Sequence, residues 1–457
     1  MATKIAFHGA ARTVTGSKHL LTIGNKQILV DCGMFQGPRE LRDRNYEPFP
    51  FDPADLDAVI LTHAHMDHVG MIPKLIRDGY RGPVYCTRAT KGISAISLPD
   101  SGRLQEEDAY QDRKRGRDVE PLYDEKDAYA ALKSFEAVPY HQFHALPGGA
   151  QFQFRSSGHI LGSAYAEIFL PNGERVLMTG DLGRYDAPII KDPETVDWSE
   201  YLVIESTYGD RLHPQEDPLE FLHGVLSEVV ADGSVLLVPS FAIGRTQELL
   251  YFIRMLQIQG RLPRIPIFVD SPMATSTTAL YGGAKEEWDE EMTELMQEQY
   301  DPIEPEGLQF TRDRNSSKAL NSMSGPMVII AGSGMANGGR IQHHLLHRLG
   351  QERTHVLFTG YQAAETLGRR LLEGAPTVQI MGREVEVRAK VDKISSLSAH
   401  ADQNEIFRFL GGFRQAPKTT FLVHGEPEAQ DALAERIRTE LGWNVEIPEH
   451  GQEFDLG

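Results

Sequence analysis

Cysteine is nearly missing from this sequence: among 457 residues there are two, Cys32 and Cys86. A lone pair in so long a chain cannot make a disulfide framework, and it suits a reducing cytoplasm with both thiols as small core residues. No run of about 18 apolar residues occurs, so no membrane-spanning helix is expected. The opening "MATKIAFHGA" lacks the charged, apolar and cleavage regions of a secretory leader and reads as a first strand. Basic residues are also scarce: 46 Lys and Arg stand against 65 Asp and Glu, a net charge of −19. Taken whole, that balance argues against a polyanionic partner, because nucleic-acid binders usually carry a basic face. The surplus is local, however. Residues 285–306 hold ten acids and one lysine and read as a solvated helix and loop, which leaves a net of about −10 for the rest. Two basic segments, Arg113, Lys114, Arg115 and Arg117, and then Arg312, Arg314 and Lys318, read as solvated faces. Global charge thus excludes no partner.

With 40% hydrophobic and 24% charged residues, the composition is that of an ordinary globular protein with a large core. Its length suits about three domain-sized pieces. The first half is rich in short strands. "KHLLTIGNKQILVDCG" alternates apolar and polar residues on both sides of Gly24-Asn25, a hairpin signal. After about residue 209, buried-looking strands alternate with long helices, as in "SVLLVPSFAIGRTQELLYFIRML", which points to a parallel α/β unit. Beyond about 388 the chain returns to short strands and turns. The expected organisation is residues 1–208 as the first part of one domain, 209–388 as an inserted domain, and 389–457 as the return segment.

What is abundant is histidine and aspartate at strand ends. "LTHAHMDHVG", residues 61–70, places His63, His65, Asp67 and His68 within six positions after an apolar run. Donors packed this tightly crowd one another unless a cation lies between them. Isolated donors follow four other apolar strands: Asp31 in "ILVDCG", His159 in "SSGHILGS", Asp181 in "VLMTGDLG" and His424 in "TFLVHGE". Loops beyond strand ends are where sites assemble in α/β architectures. Imidazole and carboxylate without thiolate suit Zn²⁺ or Mn²⁺. His63, His65, Asp67, His68, His159, His424 and a shareable Asp181 make seven donors, too many for one tetrahedral ion. A pair of metals bridged by a carboxylate fits better, the arrangement that clamps attacking and leaving oxygens in phosphoryl chemistry.

These residues carry a family resemblance. Asp31, "HAHMDH", His159 and Asp181 resemble the metallo-β-lactamase fold, while "IESTYGD", "SLSAHAD" and "LVHGE" are similar to the further motifs of its β-CASP nuclease branch. "GAARTVTGSKHLL", "SGHILGSA", "PSFAIGRTQELL" and "GYQAAETLGRR" extend the likeness over nearly the whole chain. It is closest to bacterial and archaeal relatives of the subunit that cleaves eukaryotic mRNA 3′ ends. The resemblance implies an α/β fold, a metallo-β-lactamase αββα sandwich carrying an inserted parallel α/β β-CASP domain. It implies two Zn²⁺ per chain, one held by His63, His65 and His159 and the other by Asp67, His68 and His424. Asp181 bridges them, and Asp31 orients ligands from behind.

The implied reaction is hydrolysis of phosphodiester bonds in single-stranded RNA, leaving 5′-phosphate and 3′-hydroxyl, in RNA processing or decay. The departing sugar oxygen needs a proton, and His400 in "SLSAHAD" is the natural donor. Glu205 of "IESTYGD" would orient His400 and favour its protonated form; Asp67 counts with them among the catalytic residues. In this branch a histidine at the last motif accompanies RNA and an apolar residue DNA, so His424 points to RNA. Two strand–turn–helix junctions are candidate phosphate cradles: Ser240 with Arg245, and Ser333 with Gly334 and Gly338. His343, His344 and His347 lie on an ordinary amphipathic helix and receive no metal. Alternatives are an RNA-binding scaffold without metal and a small-molecule metallo-hydrolase on the same fold. A homodimer is compatible with all of these.

Overall fold

The computed structural model describes residues 2–457 except Arg115, Arg117, Asp118, Gln299 and Ala364, so two arginines of the first basic segment lie outside the described residues. The chain divides into two compact units. One comprises residues 1–187, 191–212 and 399–457; the other comprises residues 188–190 and 213–398.

In the first unit, alternating apolar residues build two seven-stranded sheets. The first runs Glu453–Leu456, Thr3–Phe7, His19–Ile23, Lys26–Val30, Ala58–Ile60, Val84–Cys86, Phe135–Ala137, antiparallel at its beginning and parallel from Lys26–Val30 onward. The second runs Val445–Glu446, Thr419–Val423, Tyr201–Glu205, Arg175–Met178, Ala164–Phe169, Gln151–Ser156, His144–Ala145. Because strand side chains alternate between faces, each sheet has an inner and an outer apolar set. Phe7, Leu21 and Ile28 of the first sheet share one core with Phe152, Val203 and Phe421 of the second. On the outer face of the first sheet, Leu29 and Val59 pack with Leu75, Leu98 and Ala128, which come from the helices Ile72–Arg77, Arg88–Lys114 and Glu125–Ala131. Beneath the second, Leu202, Ile204 and Leu422 pack with Ile406, Phe409 and Leu433 of Gln403–Leu410 and Pro427–Arg436. This is the αββα sandwich. Cys32 and Cys86 are both buried and unpaired.

The second unit is built on a six-stranded sheet of order Leu308–Phe310, Ile267–Asp270, Met327–Ala331, Val235–Pro239, Thr354–Phe358, Lys390–Lys393, with every neighbouring pair parallel, beside a two-stranded antiparallel sheet of Thr377–Ile380 and Arg383–Glu386. The last of these strands lies beyond residue 388, where the sequence reading placed the return to the first domain. His344 is bonded to buried Asp270 at 2.7 Å, which accounts for the one fully buried member of the helix's histidine trio without a metal.

Backbone packing fixes the loop carrying the His-x-His-x-Asp-His cluster. Cys32 N–H donates to the His68 carbonyl at 2.8 Å, and Ser17 N–H donates to the Asp67 carbonyl at 2.9 Å. The Lys18 ammonium, itself buried, donates to the Gly33 carbonyl at 2.5 Å. A Cβ at Gly33 would lie 1.5 Å from the Asp67 carbonyl oxygen, so only glycine permits this approach. Gly33→Ala should therefore cost about 1–3 kcal/mol of stability in urea unfolding. Gly224→Ala is the control: it lies in the helix Pro218–Asp232 with open space at Cβ. It should stabilise by about 0.5–1 kcal/mol.

Candidate metal centre

All seven donors sit just beyond strand ends of the first unit, and the structure brings them together. His63 and His65 follow the strand Ala58–Ile60, and Asp67 and His68 lie on the one-turn helix Met66–Val69. His159 follows Gln151–Ser156, Asp181 follows Arg175–Met178, and His424 follows Thr419–Val423. His424 holds a left-handed backbone at φ 51°, as does Asp31 at φ 60°. That conformation costs a non-glycine residue roughly 1–2 kcal/mol, and the surrounding sheet holds it.

The donors form two groups. In the first, His63 Nε2 lies 3.1 Å from His65 Nδ1, and His159 Nε2 lies 3.2 Å from the same nitrogen. Asp181 Oδ2 lies 3.4 Å from both His63 Nε2 and His159 Nε2. Metal–nitrogen bonds of about 2.0–2.1 Å place tetrahedral ligands roughly 3.3 Å apart, so the four atoms already stand at the edges of such a shell. In the second group, Asp67, His68 and His424 each turn a donor toward the others. Asp67 Oδ2 lies 3.5 Å from His424 Nε2, and His68 Nε2 lies 3.1 Å from Asp181 Oδ1. Asp181 therefore presents one oxygen to each group. His68 Nε2, His424 Nε2 and Asp181 Oδ1 are buried and, among the described residues, meet only one another and Asp67, without hydrogen bonds of good geometry. Buried polar atoms left in that state are costly, and a cation between them removes the cost. The residues fit a divalent pair.

Asp31, which the sequence analysis singled out, fixes ring orientation together with neighbours that it did not, Thr62, Thr207 and the Ala399 carbonyl. Asp31 accepts from Thr62 N–H and from the Thr62 hydroxyl, both at 2.8 Å, and from His68 Nδ1 at 2.8 Å. His159 Nδ1 faces the Ala399 carbonyl at 3.1 Å, and His424 Nδ1 faces the Thr207 hydroxyl at 3.0 Å. The threonines sit inside "LTHAH" and "IESTYGD", so their positions were the available signal.

Electrostatics separate the groups. Burial, reinforced by the other histidines, lowers the pKa of His63 and His159 and takes His65 down to about 3. Those imidazoles are neutral, the form that ligates. Burial would lower His68 too, but the carboxylates of Asp181 and Asp31 outweigh it and raise the pKa well above its usual value. Burial alone would raise Asp67 and Asp181; the facing histidines, His424 foremost, reverse this and keep both ionised.

Beside the donors, His400 Nδ1 lies 3.0 and 3.1 Å from the two oxygens of Glu205 and 3.9 Å from Asp181 Oδ2. Glu205 is fully buried and also accepts from Leu182 N–H at 2.7 Å. The five residues considered for phosphate stand in the second unit. Ser240 is buried, its hydroxyl donating to the Phe241 carbonyl at 3.2 Å and accepting from Thr246 at 3.1 Å. Arg245 opens the helix Arg245–Ile258 with its guanidinium ion-paired to Glu248. Ser333 accepts from Gly338 N–H at 3.3 Å, closing its own turn, and Gly334 lies against the Phe241 ring.

Three family models match the chain: a β-lactamase superfamily domain over residues 26–225, a Beta-Casp domain over 246–371, and a Zn-dependent metallo-hydrolase RNA specificity domain over 384–448. Over 452 residues the chain is 40% identical to Ribonuclease TTHA0252 of Thermus thermophilus, covering 98% of this chain and 99% of the relative. It is 30% identical over 447 residues to the transcription termination factor FttA of Methanocaldococcus jannaschii, covering 95% of this chain and 69% of the relative. An RNase J-like protein of the same organism is 30% identical over 454 residues and 98% of both chains. A crystal structure from Enterococcus faecalis, of a protein of unknown function, aligns over all of both chains with a TM-score of 0.58 at 15% identity and thus shares the fold. The chain belongs to the β-CASP ribonucleases, a branch of the metallo-β-lactamase fold.

Burial acts to lower the pKa of His400, but Glu205, by charge and hydrogen bond, outweighs it with help from Asp181 and Asp67 and raises the pKa to about 9. The folded value exceeds the unfolded one, so this pair stabilises the fold fully below about 6.5 and loses its effect as pH rises through about 9. In metal-free protein, NMR should show the His400 ring titrating near 9, and Glu205→Gln should lower that value markedly. An unchanged titration in Glu205→Gln would show that the pair does not set the His400 charge.

Proposed function

We propose that the chain is a two-zinc ribonuclease that hydrolyses phosphodiester bonds of single-stranded RNA, leaving 5′-phosphate and 3′-hydroxyl, in cytoplasmic RNA processing or decay. The observation that carries this reading is the convergence of two donor groups on the two oxygens of Asp181 with the His400–Glu205 pair alongside. His63, His65 and His159 would hold one ion, Asp67, His68 and His424 the other, and Asp181 would serve both. Such a pair of cations, when bound, lowers the pKa of a water and neutralises phosphate charge. A scaffold without metal would have no use for seven donors, five of them buried, held at ligand spacing. The nuclease names of the relatives favour RNA over a small substrate.

The remaining chemistry belongs to the chain's own side chains. Glu205 fixes His400 through Nδ1, and Nε2 is assigned as the atom that carries the transferable proton. An alkoxide is a poor leaving group, so protonation of the departing 3′ oxygen by His400 should contribute roughly 10²–10⁴-fold. Glu205 sets the tautomer and the charge of the ring, and the ionised carboxylate of Asp181 beside it keeps the proton on the imidazole until the leaving oxygen takes it.

His400→Ala should accordingly lose about 10²–10⁴-fold in kcat on RNA while retaining its metal. Glu205→Ala should lose less, and the double variant little more than His400→Ala, since groups acting as a unit are non-additive. On bis-p-nitrophenyl phosphate, whose leaving group needs no proton, His400→Ala should nearly match the parent while His63→Ala is inactive. An equal fall on both substrates would remove the acid assignment.

A further inference from the structure

At the carboxyl ends of the second unit's parallel strands, the hydroxyl of Ser240 and the guanidinium of Arg245 are already engaged within the protein. What that edge turns outward is aromatic. Phe241 follows the strand Val235–Pro239 and is 53% exposed; Tyr361 follows the neighbouring strand Thr354–Phe358 and is 57% exposed. Gly334, beyond the strand Met327–Ala331 on the other side of Val235–Pro239, links the two. A Cβ there would lie 2.8 Å from the Phe241 ring, and Gln362, next to Tyr361, donates to the Gly334 carbonyl at 3.1 Å. Isolated exposed aromatics need no explanation; two on adjacent strand ends, tied through one glycine, do.

The topology makes this edge a binding position. Val235–Pro239 pairs with both flanking strands. The helices that follow those flanking strands, Ile341–Arg348 and Leu367–Leu372, share one core with Val235, Leu237, Ile329 and Val356. The helix that follows Val235–Pro239 itself, Arg245–Ile258, contributes nothing to that core and packs with Pro218–Asp232 and Pro272–Gly283 instead. Helices leaving adjacent strands toward opposite faces open a crevice at the strands' carboxyl ends, which is where open α/β sheets bind ligands.

We infer that Phe241 and Tyr361 form a stacking platform for unpaired bases of the RNA strand. The inference rests on the ribonuclease reading above and names how that substrate is gripped. Every base has a π face, so stacking on an aromatic side chain is tolerant of sequence and needs no positive charge. Bases in a duplex already stack on one another, so such a platform takes single strands. It also gives a strongly acidic protein a purchase on RNA that does not depend on a basic surface.

The test uses the full-length, metal-loaded chain and two strands of equal length, one ordinary single-stranded RNA and one carrying abasic sites. On ordinary RNA, Phe241→Ala and Tyr361→Ala should each raise KM about 5- to 100-fold. Phe241→Tyr and Tyr361→Phe should keep the parent's KM, and all four variants its melting temperature. On the abasic strand the parent itself should show the raised KM, and the alanine variants should add nothing to it. A double alanine variant within twofold of the parent on ordinary RNA overturns the platform, as does an equal rise on both strands. A parent chain that cleaves no RNA with any divalent ion instead overturns the ribonuclease reading, and the platform with it.

Discussion

Seven nitrogen and oxygen donors, five of them buried, crowd together at the strand ends of the first unit, and the unit is arranged around that crowding. Imidazole nitrogens stand 3.1 and 3.2 Å apart with a carboxylate oxygen at 3.4 Å, the spacing of ligands around a common cation. The fold holds them there with rigid strand ends, left-handed turns at Asp31 and His424, and the Gly33–Asp67 approach that excludes a side chain. The carboxylates of Asp181 and Asp31 favour a proton on His68. A protonated imidazole cannot ligate, so filling that position displaces a proton, and low pH opposes it.

The same crowding joins the proposed acid, His400, and the candidate metal donors in one network. Asp181 reaches His63 and His159 with one oxygen, His68 with the other, and stands 3.9 Å from His400. Glu205, buried under the ring, decides the charge of His400 against the penalty of burial. Four strands within residues 58–205 and a fifth, Thr419–Val423, position these groups and His424, which is why the segment after residue 398 closes back onto the first unit. The strand Thr419–Val423 does so by pairing with Tyr201–Glu205 in parallel, so that Glu205 lies in register with Val423, the residue before His424.

Much of this is legible in the sequence alone. Apolar runs ending in a lone histidine or aspartate announce a donor at a strand end, and "HAHMDH" announces a cation because no packing reason would gather those residues. The hairpin at Gly24-Asn25 and the parallel alternation after residue 209 are visible for the same reason: their periods, two for a strand and 3.6 for a helix, are written in single residues. Less legible were features set by partners distant in sequence. Thr62 and Thr207 look like filler until Asp31 and His424 are placed beside them. Arg245 invites a phosphate until Glu248, one helical turn on, is seen holding it. The strand Lys390–Lys393, two lysines around Val391 and Asp392, carries almost no apolar pattern and is a strand because Thr354–Phe358 offers it an edge. Exposure on adjacent strand ends, which sets Phe241 and Tyr361 together, is not written in sequence at all.

The central claim is that one carboxylate, Asp181, joins two cations at a single centre. Metal analysis of the purified protein by mass spectrometry, alongside Asp181→Ala and His65→Ala, measures it most directly. The account predicts up to two zinc ions per chain in the parent, weakened binding of both in Asp181→Ala, and weakened binding of one in His65→Ala. A parent that binds a single ion, together with an Asp181→Ala variant that holds it as tightly, would contradict the account.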